Sequence, residues 1–140
     1  MKIRLTRTGK PDLQFDGTEI AKLESSGKPQ DMADTRHSRW FEWGLYFTDS
    51  GKVVAHIAYR AGQMLRRELP VDHVVVGIDA ADLLAQLTAL DWKSWVSGWP
   101  RDGRYDDRNE TLFRRMQNEW QQMLTRASDA VKPTEVEELT

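Results

Sequence analysis

Polar and apolar residues alternate along the first half of the chain and recur at helical spacing along the second. Lys2-Ile3-Arg4-Leu5-Thr6-Arg7 has the period-two pattern of a half-buried strand. Gly9-Lys10-Pro11 signals a turn. Leu13 and Phe15 then share a face, Asp16-Gly17 reads as a second turn, and Ile20 to Glu24 as a short strand. Residues 25–38, opening Ser25-Ser26-Gly27-Lys28-Pro29, have no apolar period and read as a long loop.

The clearest element is a hairpin. Phe41, Trp43, Leu45 and Phe47 lie on one face of a strand over 40–48, and Val53, Ala55, Ile57 and Tyr59 on one face of a strand over 52–60. Antiparallel pairing must put both apolar sets on the same side. Opposing Phe47 to Val53 does so, and leaves Asp49-Ser50-Gly51 as a three-residue loop with Gly51 left-handed. The same register sets Trp40 against Arg60, Tyr46 against Val54, and His56 against Gly44, with Glu42 diagonal to His56.

Residues 61–70 form a polar connection. His73-Val74-Val75-Val76 is apolar on both faces and reads as a central strand. Asp79 is a good N-cap for a helix whose Ala80, Leu83, Leu84, Leu87 and Leu90 recur at helical spacing. A second short helix, capped by Asp91, carries Trp92, Trp95, Val96 and Trp99 and stops at Gly98 and Pro100. Asp107 and Glu110 resemble a capping box for the last helix. Along it Leu112, Phe113, Met116, Trp120, Met123, Leu124, Ala127 and Val131 trace one stripe, with Arg114, Arg115, Glu119 and Arg126 off it. Pro133 ends it.

Strands first and helices last predict an α+β fold: an antiparallel sheet of four to five strands with two to three C-terminal helices on one face. Residues 1–132 form a single domain, and 133–140 a disordered acidic tail.

Composition narrows the chemistry. With no Cys among 140 residues, disulfides, thiol catalysis and cysteine-ligated metals are excluded. No continuous apolar run suits a secretory signal or a membrane span, so a cytoplasmic protein without a membrane partner is expected. The net charge of −2 hides a polarity. Residues 1–70 hold twelve Lys/Arg and nine Asp/Glu (+3), and residues 71–140 hold eight and thirteen (−5).

Six Trp is a high share for this length. Trp43 and Trp120 fall on core stripes. Trp92, Trp95 and Trp99 share a helical face that either caps the sheet or marks an interface, by self-association or with a partner. Trp40 falls on the polar face of the hairpin beside Arg60, suited to a cation–π pair. His56 with Glu42, joined by His73, is the one candidate acid–base group. Asp102, Asp106 and Asp107 alternate with Arg101, Arg104 and Arg108 in a loop without EF-hand spacing. Nucleophile-elbow, phosphate-loop and dinucleotide motifs are absent, so neither a cofactor nor a metal is expected. Lys2, Arg4, Arg7 and Lys10, with Arg60, Arg66 and Arg67, offer an alternative basic sheet face for single-stranded RNA beside Trp40 and Tyr46. The acidic second half opposes direct nucleic-acid binding.

Two blocks carry a family likeness. One is Leu13-x-Phe15-x-Gly17-x-x-Ile20-Ala21-x-x-x-Ser25. The other is Arg39-Trp40-x-Glu42-x-x-Leu45-Tyr46-x-Thr48-x-x-Gly51-Lys52-x-Val54. Over residues 13–60 the chain resembles small accessory proteins of bacterial plasmids, phages and integrative elements. The resemblance implies a mobile-element gene and a stoichiometric inhibitor of a host defence system, such as an anti-CRISPR protein. It brings no catalytic residues with it. The expected activity is therefore non-enzymatic binding of another protein, for instance a nucleic-acid-binding complex, through Trp40, Arg60, Trp95, Trp99, Asp102, Asp106 and Asp107. A small His/Glu hydrolase is the remaining alternative.

Overall fold

The computed structural model describes residues 1–28, 38–62, 69–96 and 110–132. Five antiparallel strands follow one another in sheet order as in sequence: β1 (Lys2–Arg7), β2 (Lys10–Glu24), β3 (Arg39–Thr48), β4 (Val53–Ala61) and β5 (Val71–Gly77). Then come α1 (Ala80–Ala89), a 3-10 turn (Trp92–Trp95) and α2 (Glu110–Val131). The fold is α+β, with both helices packed on one side of a curled sheet.

The β3–β4 hairpin has the expected register, with Phe47 opposite Val53, Tyr46 opposite Val54, Gly44 opposite His56 and Trp40 opposite Arg60. Gly51 takes φ +90° in the loop. Thr48 closes that loop: its amide donates to the Lys52 carbonyl at 2.9 Å, and its hydroxyl accepts the Lys52 amide at 2.9 Å.

The Asp16-Gly17 turn does not form. One 15-residue strand runs through it, pairing with β1 over its first part and with β3 over its second. Gly17 is required for space: a β-carbon there would stand 2.2 Å from the Phe47 carbonyl oxygen. A bulge between Glu19 and Ala21 then shifts the pairing. It has a consequence for packing. Leu13 and Phe15 lie on one side of the sheet, whereas Ala21 and Leu23, also at odd positions, lie on the other. Without the extra residue all four would share a face.

The sheet therefore buries both faces. On the convex side Phe41, Trp43, Leu45, Ala55, Ile57, Tyr59 and Val75 pack against Leu83 and Leu87 of α1 and the α2 stripe. On the concave side Ile3, Leu5 and Phe15 of the β1–β2 hairpin cover Tyr46, Val54 and Val74. That hairpin is fastened at both ends. Gly17 donates to the Met1 carbonyl at its root. At its tip Thr8 donates its amide to the Asp72 carbonyl at 2.8 Å and accepts the Asp72 amide on its hydroxyl at 2.8 Å. β5 is thus not central. It stands at the end of the sheet order, and its second apolar face is covered by the hairpin rather than by a further paired strand.

The helices follow their caps and stripes. The Asp79 carboxylate accepts the Asp82 amide at 2.8 Å, as an N-cap should. Asp91 does not cap with its side chain; its carbonyl accepts the Ser94 hydroxyl instead. Trp92 stacks on Trp120 at 5.3 Å, and Trp120 meets Phe41 and Trp43 edge-on at 5.1 and 4.7 Å. Glu119, expected off the stripe, is buried, bonded to the Ser26 hydroxyl, with the Arg115 Nε 3.8 Å away. The loop after β2 supplies that partner, which α2 alone does not reveal. Asp107 and the acidic tail lie outside the described residues. Among the described residues no helix is long and apolar enough to cross a membrane.

Candidate functional site

Strand alternation places Trp40, Glu42, Gly44 and Tyr46 of β3, His56, Ala58 and Arg60 of β4, and Asp72 of β5 on the concave side. The β1–β2 hairpin covers only part of this side. What remains open is a cleft of about 280 Å³, lined by Lys22, Glu24, Glu42, Gly44, Tyr46, His56, Ala58 and Arg60 among others. Ala58 gives it depth, and the Tyr46 ring lies over Gly44, whose β-carbon would stand 2.7 Å from the Tyr46 hydroxyl.

The polar groups form a chain of contacts. His56 Nε2 lies 3.0 Å from Asp72 Oδ1, and Arg60 Nη2 donates to the same oxygen at 2.9 Å. The other Arg60 nitrogen, Nη1, donates to the carbonyls of Tyr59 and Val71 at 3.1 and 3.2 Å. The Trp40 indole donates to Glu42 Oε1 at 3.3 Å. The Asp72 oxygen that accepts from the Arg60 guanidinium also accepts from His56 Nε2, so one carboxylate oxygen ties the two β4 side chains together. Burial, and secondly the Glu19 carboxylate, push the Tyr46 phenol above its ordinary pKa, so at neutral pH it is a protonated hydroxyl. The cleft thus presents fixed donors and acceptors on a rigid sheet.

The sequence-based groupings assemble only in part. Trp40 and Arg60 are neighbours across β3 and β4, both half-buried on the concave side. Trp95 lies on the convex side, half-buried against His73 at 5.8 Å between ring centres, so it does not join them. Trp99, Asp102, Asp106 and Asp107 lie outside the described residues. The His56, Glu42 and His73 group does not form. His73 pairs with Ile57 and His56 with Val74, which sends the two imidazoles to opposite faces. The partner of His56 is Asp72, diagonal to it, rather than Glu42. The RNA surface is likewise divided. Tyr46 is buried beneath the hairpin, whereas Arg4 is exposed and paired with Asp12 at 2.8 Å. Arg66 and Arg67 lie outside the described residues.

Sequence reasoning missed Asp72. Its only signal is a lone carboxylate in a strand of valines, His73 and Gly77. Among the described residues no three His, Asp or Glu side chains converge as metal ligands. No family model matches the chain, and neither a curated protein nor a solved structure does.

Proposed function

We propose that the protein acts by stoichiometric binding to another protein through the open part of its concave sheet face. The observation that carries this reading is the Trp40–Arg60 pair. Trp43, Trp92 and Trp120 are buried in the convex core. Trp40 instead stands half-buried, opposite Arg60 and hydrogen-bonded to Glu42, both of which line the cleft. Trp and Arg are the residues most enriched where binding energy concentrates, next to pockets with pre-arranged polar groups. The resemblance of residues 13–60 to mobile-element accessory proteins supports a cytoplasmic inhibitor of a host defence complex, anti-CRISPR-like, as the setting.

The test places a photo-crosslinking side chain at Lys22, which is exposed and lines the cleft, and at Gln121, exposed on α2. Both variants are expressed in the source cells. A crosslink of defined stoichiometry at position 22 and none at 121 is expected. Trp40→Ala should then weaken the purified complex by about 2 kcal/mol or more, some thirtyfold, while leaving the unfolding midpoint nearly unchanged. Equal crosslinking at both positions, or none at 22, overturns the reading.

A further inference from the structure

We propose that the cleft receives one arginine side chain of the partner protein, with Glu42 as its counter-ion and the Trp40 ring as its stacking surface. This rests on the concave-face reading and names the chemistry of the contact.

Glu42 lines the cleft and has no ion-pair partner among the described residues. It is half-buried, and its one hydrogen bond among the described residues is the 3.3 Å contact from the Trp40 indole. The cations near it are committed elsewhere. Arg60 holds Asp72 and two carbonyls, Lys28 holds Glu24, and Lys22 lies 3.7 Å from Glu19. The sheet register adds a second, smaller cost: Glu24 of β2, exposed and partly offset by Lys28, stands directly opposite Glu42, with uncharged Ala58 on its other side. Like charges directly opposed on adjacent strands destabilise a sheet, and a half-buried carboxylate without a counter-ion is costly. A cation supplied from outside relieves both terms.

The surroundings select which cation. A metal ion would need further ligands, and His56 is already held by Asp72. Trp40 lies two residues before Glu42 on the same face of β3, so indole and carboxylate stand side by side. Its indole N–H bonds one oxygen of the carboxylate through the ring edge, and Trp40 is half-buried rather than enclosed. A guanidinium is planar. It stacks on an indole while giving two parallel N–H bonds to a carboxylate, which a lysine ammonium cannot do. The Arg60 charge does not repel it strongly, because Asp72, only 15% exposed, neutralises that charge within the sheet.

Isotope-labelled full-length protein titrated with N-acetyl-arginine amide tests the contact, with N-acetyl-citrulline amide as the uncharged isostere. The arginine derivative should shift the Trp40 indole N–H resonance saturably, and the citrulline derivative should not. Glu42→Gln keeps an acceptor for the indole but removes the charge, and should weaken binding about tenfold or more. Glu24→Gln, away from the direct contact, should weaken it severalfold and serves if the first variant is unstable. Equal shifts from both derivatives, or unchanged binding by both variants, overturn the proposal. A partner crosslinked at position 22 that binds Glu42→Gln as tightly as the parent would sink the arginine contact and leave the concave-face reading standing. Saturable arginine binding at Trp40 with no crosslinked partner would do the reverse.

Discussion

At Gly17 the Phe47 carbonyl oxygen occupies the space a β-carbon would need. The residue shows how one amino acid serves two different ends. An Asp-Gly pair reads as a turn because glycine tolerates left-handed backbone, yet here it is used for close approach between strands. Gly17→Ala must move β3 or break the junction, and should cost about 2 kcal/mol or more by overpacking, measured as a fall in the urea midpoint. His73 makes a second residue-scale case. Burial, and secondly the Lys10 ammonium, hold its imidazole below the ordinary pKa of 6.5. The unfolded chain therefore takes up that proton more readily than the folded one. The resulting stability is complete above the unfolded pKa and is lost as pH falls through the lowered folded value. His73→Gln should show a shallower loss of stability between pH 7 and pH 5 than the parent chain, as denaturant midpoints across that range would reveal. Parallel pH profiles would refute it.

Among the elements, the β3–β4 hairpin and α2 were the most legible. Two apolar sets at period two admit one register that keeps them together, and Gly51 accepts the left-handed bend that register needs. The α2 stripe reads directly as its buried face, with Glu119 the exception. Less legible were elements whose pattern has two physical causes. β5 is apolar on both sides, and sequence does not distinguish a strand flanked by other strands from an end strand overlain by a hairpin. The site was half legible for the same reason. Trp40 and Arg60 follow from the hairpin register. Asp72 follows only from the β4–β5 register, and no short turn connects those strands to fix it. The strongest test of element packing is Trp120, which touches Phe41, Trp43 and Trp92 at once. Trp120→Ala should lose about 3–5 kcal/mol, seen as a large drop in thermal midpoint. A loss below about 1 kcal/mol would mean that α2 docks without this cluster.

Over the whole molecule, the two sides of one sheet have separate tasks. The convex side gathers most large apolar residues and both helices, and it carries the stability. The concave side is divided between a short apolar cluster under the hairpin and an open polar cleft. Cleft residues such as Glu42 stand apart from the convex core, so the binding proposed for the cleft can be probed by substitutions there with little effect on that core. The sequence charge of −2 gives no hint of this division, because charge sorted by chain half is not charge sorted by face.

The order of the strands has a kinetic meaning as well. Each strand pairs with the one made just before it, so the meander closes through local contacts, and such topologies nucleate quickly. The α2 helix is different. It follows all five strands in the chain and reaches back to cover Phe41 and Trp43 of β3. During synthesis the part of the convex face that lies under α2 therefore waits, uncovered, until α2 has left the ribosome. That interval, more than the equilibrium stability of the folded protein, sets the risk of aggregation when the chain is truncated or its translation stalls before α2.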